Sequence, residues 1–206
     1  MGQKRHKAKA TTETRLYLLA LVGIVSISFS SCKKNKRFDE AAKIVNEWVG
    51  KEIFFPENLP CYVMGKDTLP GLCNEIFQKE FKILLYVDSA GCFDCRLKLF
   101  EWKQLIEEAE SLFPEKVGFL FYFQPKNAQD LSNKFRRDRF TYPVFLDISS
   151  EVNRLNLFPQ AMEYQCFLLD NKNQVLALGN PVLNSKIWEL YKFQIEEGMK
   201  EIDIIN

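Results

Sequence analysis

The sequence predicts an α/β fold in which a central sheet carries helices on both faces, and three observations support that prediction. Phe81–Val87 and Val117–Phe123 are short, almost unbroken apolar runs, the pattern of strands buried on both faces. Between and after them, apolar residues recur every three to four positions, as a helix packed on a sheet requires. Strand and helix signals keep alternating toward the C-terminus, with no internal repeat and no low-complexity tract.

Taken in order, Phe38, Ala41, Ala42, Val45, Trp48 and Val49 fall at helical spacing until Gly50 stops the pattern. Ile53–Phe55 reads as a brief strand. Pro56–Cys73 holds three prolines and two glycines, with Met64-Gly65-Lys66-Asp67 as a turn between two short strands. Phe81–Val87 empties into Asp88-Ser89-Ala90-Gly91, followed by Cys92-Phe93-Asp94-Cys95. Leu99, Trp102, Leu105, Ile106, Ala109, Leu112 and Phe113 then line one side of a helix that starts at the cysteines and ends near Pro114. Val117–Phe123 is a strand, Asn127–Arg139 a helix with Ala128, Leu131 and Phe135 inward, and Tyr142–Leu146 a third strand. Cys166–Leu169 and Val175–Leu178 form a hairpin around the polar turn Asp170-Asn171-Lys172-Asn173. Asn184 caps a last helix carrying Ile187, Leu190, Tyr191 and Ile195, with Gly198 at its end. Trp48, Trp102 and Trp188 fall on inward helix faces and are expected in the core.

The chain has 206 residues, 47% hydrophobic and 27% charged, the profile of a folded globular protein. Lys plus Arg number 28 and Asp plus Glu 27, so no nucleic-acid partner is expected. The one histidine, His6, lies in the N-terminal segment, which excludes Ser-His-Asp and Cys-His catalysis and His-ligated zinc from the folded body. Residues 1–31 have the layout of a cleaved export signal: Lys4, Arg5, Lys7, Lys9 and Arg15, then an uncharged stretch from Leu16 to Phe29, shorter than the roughly 20 residues a helix needs to cross a bilayer, which makes a permanent transmembrane anchor the weaker alternative. Ser30-Ser31-Cys32 resembles the lipobox of bacterial lipoproteins, which implies cleavage before Cys32 and a diacylglyceryl group on its sulfur. The alternative is a soluble exported protein cut nearby, with Cys32 an ordinary thiol. Residues 32–80 then form a tether and N-terminal extension, and residues 81–206 the core.

The chemistry concentrates at Cys92 and Cys95. A cysteine at the first turn of a helix sits where backbone N–H groups and the macrodipole favour its thiolate, making Cys92 the attacking thiol. Cys95, one turn on, resolves the mixed disulfide. Such exchange needs no cofactor. Zinc would need about four ligands, and no second CxxC or histidine follows. Haem attachment needs CxxCH, but Arg96 follows Cys95. A structural disulfide at Cys92–Cys95 remains as an alternative, although closing so short a loop stabilises little. Asp94 opposes the Cys92 thiolate, predicting a reductant-like couple, and it also has the alternative of a solvent-exposed helix-start acid. Cys61 and Cys73 are candidates for a disulfide across the short-strand region, and Cys166 for a third redox thiol or a buried small hydrophobe.

The run Leu84-Leu85-Tyr86-Val87-Asp88-Ser89-Ala90-Gly91-Cys92-Phe93-Asp94-Cys95 resembles a thioredoxin-fold domain. Phe167-Leu168-Leu169-Asp170-Asn171-Lys172-Asn173-Gln174-Val175 is similar to the corresponding hairpin of exported thiol-disulfide oxidoreductases of the TlpA/ResA type. The likeness spans about residues 81 to 195, and Ser30-Ser31-Cys32-Lys33-Lys34 resembles lipoproteins of the Bacteroidetes. It implies a thioredoxin-like fold, Cys92 as nucleophile, Cys95 as resolving thiol, thiols or disulfides of another protein as substrate, and a membrane-anchored, periplasm-facing location through Cys32. A non-enzymatic lipoprotein that binds a partner and keeps the pair as a structural bridge is the alternative, and a thiol peroxidase a third class. The sequence departs from the family at three positions. Gly91 stands where a tryptophan precedes the first cysteine, Tyr164 or Gln165 where the substrate-holding cis-proline falls, and Tyr86 where a buried acid assists proton transfer. Tyr164, Gln165, Asp94 and Cys166 are therefore the candidate modulators of the cysteine pair.

Overall fold

The computed structural model describes residues 38–57, 60–64, 70–89 and 97–205. The export signal, Cys32, the tether to residue 37 and the whole Cys92-Phe93-Asp94-Cys95 motif lie outside the described residues. The chain divides into two units, Met1–Ile44 and Val45–Asn206. In the first, residues 38–44 are helical; in the second, the helix α1 (38–48) finishes and everything else follows.

The second unit is built on one six-stranded sheet of order β1-β4-β3-β2-β5-β6. Its strands are β1 (Cys61–Tyr62), β2 (Phe81–Val87), β3 (Val117–Phe123), β4 (Val144–Leu146), β5 (Cys166–Leu169) and β6 (Val175–Leu178). β2, β3 and β4 run parallel, in register from Phe81↔Val117 to Val87↔Phe123 and from Phe121↔Val144 to Phe123↔Leu146. β1, β5 and β6 are antiparallel to their neighbours. Every residue of β2 and of β3 is buried, as their almost unbroken apolar sequences require of strands covered on both faces. The helices are α2 (Pro70–Phe77), α3 (Leu99–Leu112), α4 (Ala128–Arg137), α5 (Glu151–Asn156) and α6 (Ser185–Ile205), with a 3₁₀ turn at Met162–Tyr164.

Side chains alternate across the sheet. Ile83, Leu85, Val87, Phe119, Phe121 and Phe123 point to one face and share a core with Trp102 and Ala109 of α3, Leu131 and Phe135 of α4, and Trp188, Tyr191 and Ile195 of α6. Tyr86, Tyr122, Phe145 and Phe167 point to the other, where their rings meet those of Trp48, Phe55, Phe77 and Phe158. The three tryptophans are buried in core positions, as their spacing predicts.

Cys61 of β1 and Cys73 of α2 are joined by a disulfide with their Cα atoms 6.4 Å apart. The pairing agrees with the candidate read from the sequence, but its setting does not. The second short strand expected before Cys73 is the helix α2, packed so closely on β3 that a Cβ on Gly118 would lie 2.8 Å from the Ile76 carbonyl oxygen. A turn at residues 65–67 lies outside the described residues.

Other expectations are corrected. Ile53–Phe55 forms no strand: only Glu52 makes an isolated bridge, to Gln174, and the Ile53 N–H donates to the Asn173 carbonyl. The third strand starts at Val144 rather than Tyr142, because the Pro143 nitrogen has no hydrogen to give the ladder. Ala128, Leu112 and Leu190 are exposed, since each sits at the margin of its helix's apolar stripe. Gly198 does not end α6. It lies inside the helix, where a Cβ would meet the Phe81 ring at 2.8 Å, so the glycine is there for close approach. Asn184 does cap α6, its Oδ1 accepting from the Lys186 N–H.

Candidate functional site

The C-terminal ends of β2, β3 and β4 lie side by side, and the segment holding Cys92 and Cys95 joins the end of β2 to α3. In open α/β sheets this edge is where ligands bind, because strand ends there feed loops that carry polar groups. Here it carries a connected polar network. The Tyr86 hydroxyl donates to Gln124 Oε1 at 3.2 Å and shares a hydrogen bond with Ser150 Oγ at 3.3 Å. Asp147, fully buried, accepts from the N–H groups of Glu151 and Val152 at 2.6 and 3.0 Å, which satisfies two of the orphan donors at the start of α5. Burial raises the hydroxyl pKa of Tyr86, so the side chain stays a neutral donor at this edge.

Gln165 joins this edge to the loop before β5. Its backbone carbonyl accepts from the Tyr86 N–H at 2.9 Å, extending the β2–β5 pairing by one residue. Its side-chain amide donates to Asp88 Oδ2 at 3.1 Å and to the Pro159 carbonyl at 2.9 Å. Gln165 is buried, and Tyr164 beside it is half-buried at the end of the 3₁₀ turn. Of these residues, sequence reasoning marked Tyr164, Gln165 and Tyr86; it missed Gln124, Asp147 and Ser150. Asp147 had a legible signal, an acid at a strand end four residues before a helical segment.

Cys166 follows Gln165 and pairs with Leu85 in the sheet. It is fully buried, and the Tyr191 hydroxyl lies 4.0 Å from its sulfur while donating to the Gly179 carbonyl at 2.8 Å. Burial pushes the Cys166 thiol up to about 12, so it holds its proton at neutral pH. The small-hydrophobe reading fits this setting, because a protonated buried thiol is a poor nucleophile.

One uninterrupted helix from Cys92 to Pro114 is not what forms. Leu97 is helical, but Lys98 takes the left-handed conformation, φ 44° and ψ 42°, and α3 starts afresh at Leu99. Cys92, Asp94 and Cys95 themselves are outside the described residues.

No family model matches the chain, and no curated protein matches it. Solved structures do. A thiol-disulfide oxidoreductase from Bacteroides fragilis is similar with a TM-score of 0.50 and 18% identity, over 68% of this chain and 99% of that one. A peroxidoxin, BcpB, from Mycobacterium tuberculosis is similar with a TM-score of 0.51 and 12% identity, over 73% of this chain and 97% of that one. At these identities the likeness is one of fold. A central mixed sheet with helices on both faces, superposable on these proteins over about two thirds of the chain, makes this a thioredoxin-like fold.

Proposed function

We propose that the protein is a thiol-disulfide oxidoreductase working through Cys92 and Cys95. One observation carries the reading: a CxxC sits in the connection that leaves the C-terminal end of the central strand β2 in a thioredoxin-like fold. The fold is shared with a protein named as a thiol-disulfide oxidoreductase and with one named as a peroxidoxin, so the choice of chemistry rests on the residues. A second cysteine three positions after the first supports dithiol exchange.

In the reducing direction the Cys92 thiolate attacks one sulfur of a partner disulfide. A mixed disulfide forms, and the partner's other sulfur leaves as a thiolate that takes up a proton. Cys95, deprotonated in turn, attacks the Cys92 sulfur, closing the Cys92–Cys95 disulfide and releasing the partner's second thiol. The partner gains two electrons and two protons, and the protein loses the same; the oxidising direction is the reverse. Asp94, between the two cysteines in sequence, adds negative charge to the motif, which disfavours the thiolate and supports a reductant-like couple.

The export signal, the Ser30-Ser31-Cys32 lipobox and the basic tether support a lipid anchor at Cys32 and a periplasm-facing location. The competing reading, a partner-binding lipoprotein with a structural Cys92–Cys95 bridge, is separated by trapping. Cys95→Ser leaves Cys92 unable to be resolved, and a working oxidoreductase then accumulates mixed disulfides with its partner that reductant dissolves. A structural bridge gives no such adduct.

A further inference from the structure

We infer that the cavity between β1, β4 and α4 is a binding site for a small neutral molecule built on an aromatic ring. It measures about 220 Å³ and lies at the β1 edge of the sheet, with Val63, Met64, Leu131, Phe135, Phe140 and Leu146 forming its apolar wall. An apolar cavity of about 150 Å³ stays dry and takes up benzene, so this one has room for a fused pair of rings. None of the described residues that line it is charged; the polar ones are Tyr62, Ser132 and Tyr142, all carrying hydroxyls. Burial pushes the Tyr142 hydroxyl up to about 12, so it stays uncharged across the neutral range. An ionised guest would lose hydration and find no counter-charge on this wall, whereas a neutral one loses little. The wall also favours an aromatic guest. The rings of Phe135 and Phe140, 5.7 Å apart, and the thioether of Met64 offer edge and sulfur contacts that an aliphatic chain does not make.

One side of the cavity is held from behind. β1 pairs Cys61 with Phe145 and Tyr62 with Val144, and successive residues of a strand face opposite sides of the sheet. Cys61 therefore turns toward α2, where it is bonded to Cys73, and Tyr62 toward α4 and the cavity. Two residues at a sheet edge have little pairing of their own, so the disulfide fixes this wall in advance and a guest does not have to order it. The site stands independently of the redox reading of Cys92 and Cys95.

The test is calorimetric titration of the oxidised full chain with indole as the probe. One saturable site with a Kd below about 1 mM is expected, a value within reach of so small a ligand. Ala128 lines the cavity at an exposed position, so Ala128→Phe puts a ring into the space without disturbing the core, and it is expected to weaken indole at least fivefold. Indole-5-carboxylate, the same rings carrying a charge, is expected to bind the parent protein at least fivefold more weakly than indole. The double variant Cys61→Ser, Cys73→Ser, compared at a temperature where circular dichroism shows both proteins folded, is expected to bind indole at least threefold more weakly. Absence of saturable binding overturns the inference, as does a smaller effect of Ala128→Phe, which would put the guest elsewhere. A smaller penalty for the carboxylate overturns the neutral class of ligand, and a smaller loss in the disulfide variant overturns the part given to the wall.

Discussion

The Tyr191 hydroxyl lies 4.0 Å from the sulfur of Cys166 while donating to the Gly179 carbonyl, sealing that cysteine between β5 and α6. Cys166 is the one cysteine without a disulfide among the described residues. With its thiol pushed up to about 12, it is protonated throughout the neutral range. Maleimide labelling of the folded protein at pH 7.5 is expected to leave Cys166 unmodified, and labelling in denaturant to modify it fully. Rapid labelling in the folded state would return Cys166 to the list of redox thiols.

Gly198 stands against the Phe81 ring, where an added Cβ would approach to 2.8 Å. Gly198→Ala gains up to about 1 kcal/mol in helix propensity but pushes on a ring held in the core, a strain that typically costs about 1–3 kcal/mol. The net expectation is a loss of about 1 kcal/mol in chemical denaturation. An increase in stability, as at an ordinary exposed helix glycine, would show that α6 does not pack on Phe81 in this way.

Lys82 is fully buried in β2, and its ammonium nitrogen finds no hydrogen-bond partner among the described residues. Desolvation lowers its pKa, opposed by the charge of Asp170. The folded chain therefore releases this proton at lower pH than the unfolded chain, whose lysine titrates near 10.5. Across that window the unfolded state binds more protons, and Lys82 contributes an increase of stability with rising pH. Lys82→Met is expected to stabilise the protein at pH 7 by roughly 1–2 kcal/mol, the size of a relieved buried polar group. Its advantage over the parent protein should shrink as pH approaches 10.5. Denaturation midpoints of both proteins between pH 6 and 10 check the sign, and an advantage that grows with pH would contradict it.

The Cys61–Cys73 disulfide closes a loop of 12 residues in sequence separation and ties the two-residue edge strand β1 to α2. Loop closure of this size contributes about 3 kcal/mol by restricting the unfolded chain. The double variant Cys61→Ser, Cys73→Ser is expected to lose about that much, with amide exchange quickening first in β1 because so short a strand has little else to hold it. Unchanged stability would mean that the bond forms without constraining the chain.

The strands and the long helices were legible because their burial is simple: β2 and β3 are apolar at nearly every position and are covered on both faces. The segment between Ile53 and Cys73 was misread because prolines and glycines signal turns without saying what lies between them, and α2 is fixed by Gly118 and a disulfide that act across the fold. Gly198 looked like a helix stop because its reason lies 117 positions away, in Phe81. The break at Lys98 left no local signal, since lysine is a good helix former. Of the site, Gln165 was marked by its place in the chain, but its bond to Asp88 joins residues 77 apart and no spacing rule reaches that far.

The central claim is that the Cys92–Cys95 pair is a reversible redox couple, and titration in glutathione buffers followed by acid quench, alkylation and peptide mass spectrometry tests it most directly. The account predicts that a Cys92–Cys95 linked peptide appears and disappears reversibly between about −180 and −270 mV, the range of working thiol-disulfide exchangers, while Cys61–Cys73 stays linked. A Cys92–Cys95 bond that persists below about −300 mV, or one that never forms, would contradict it.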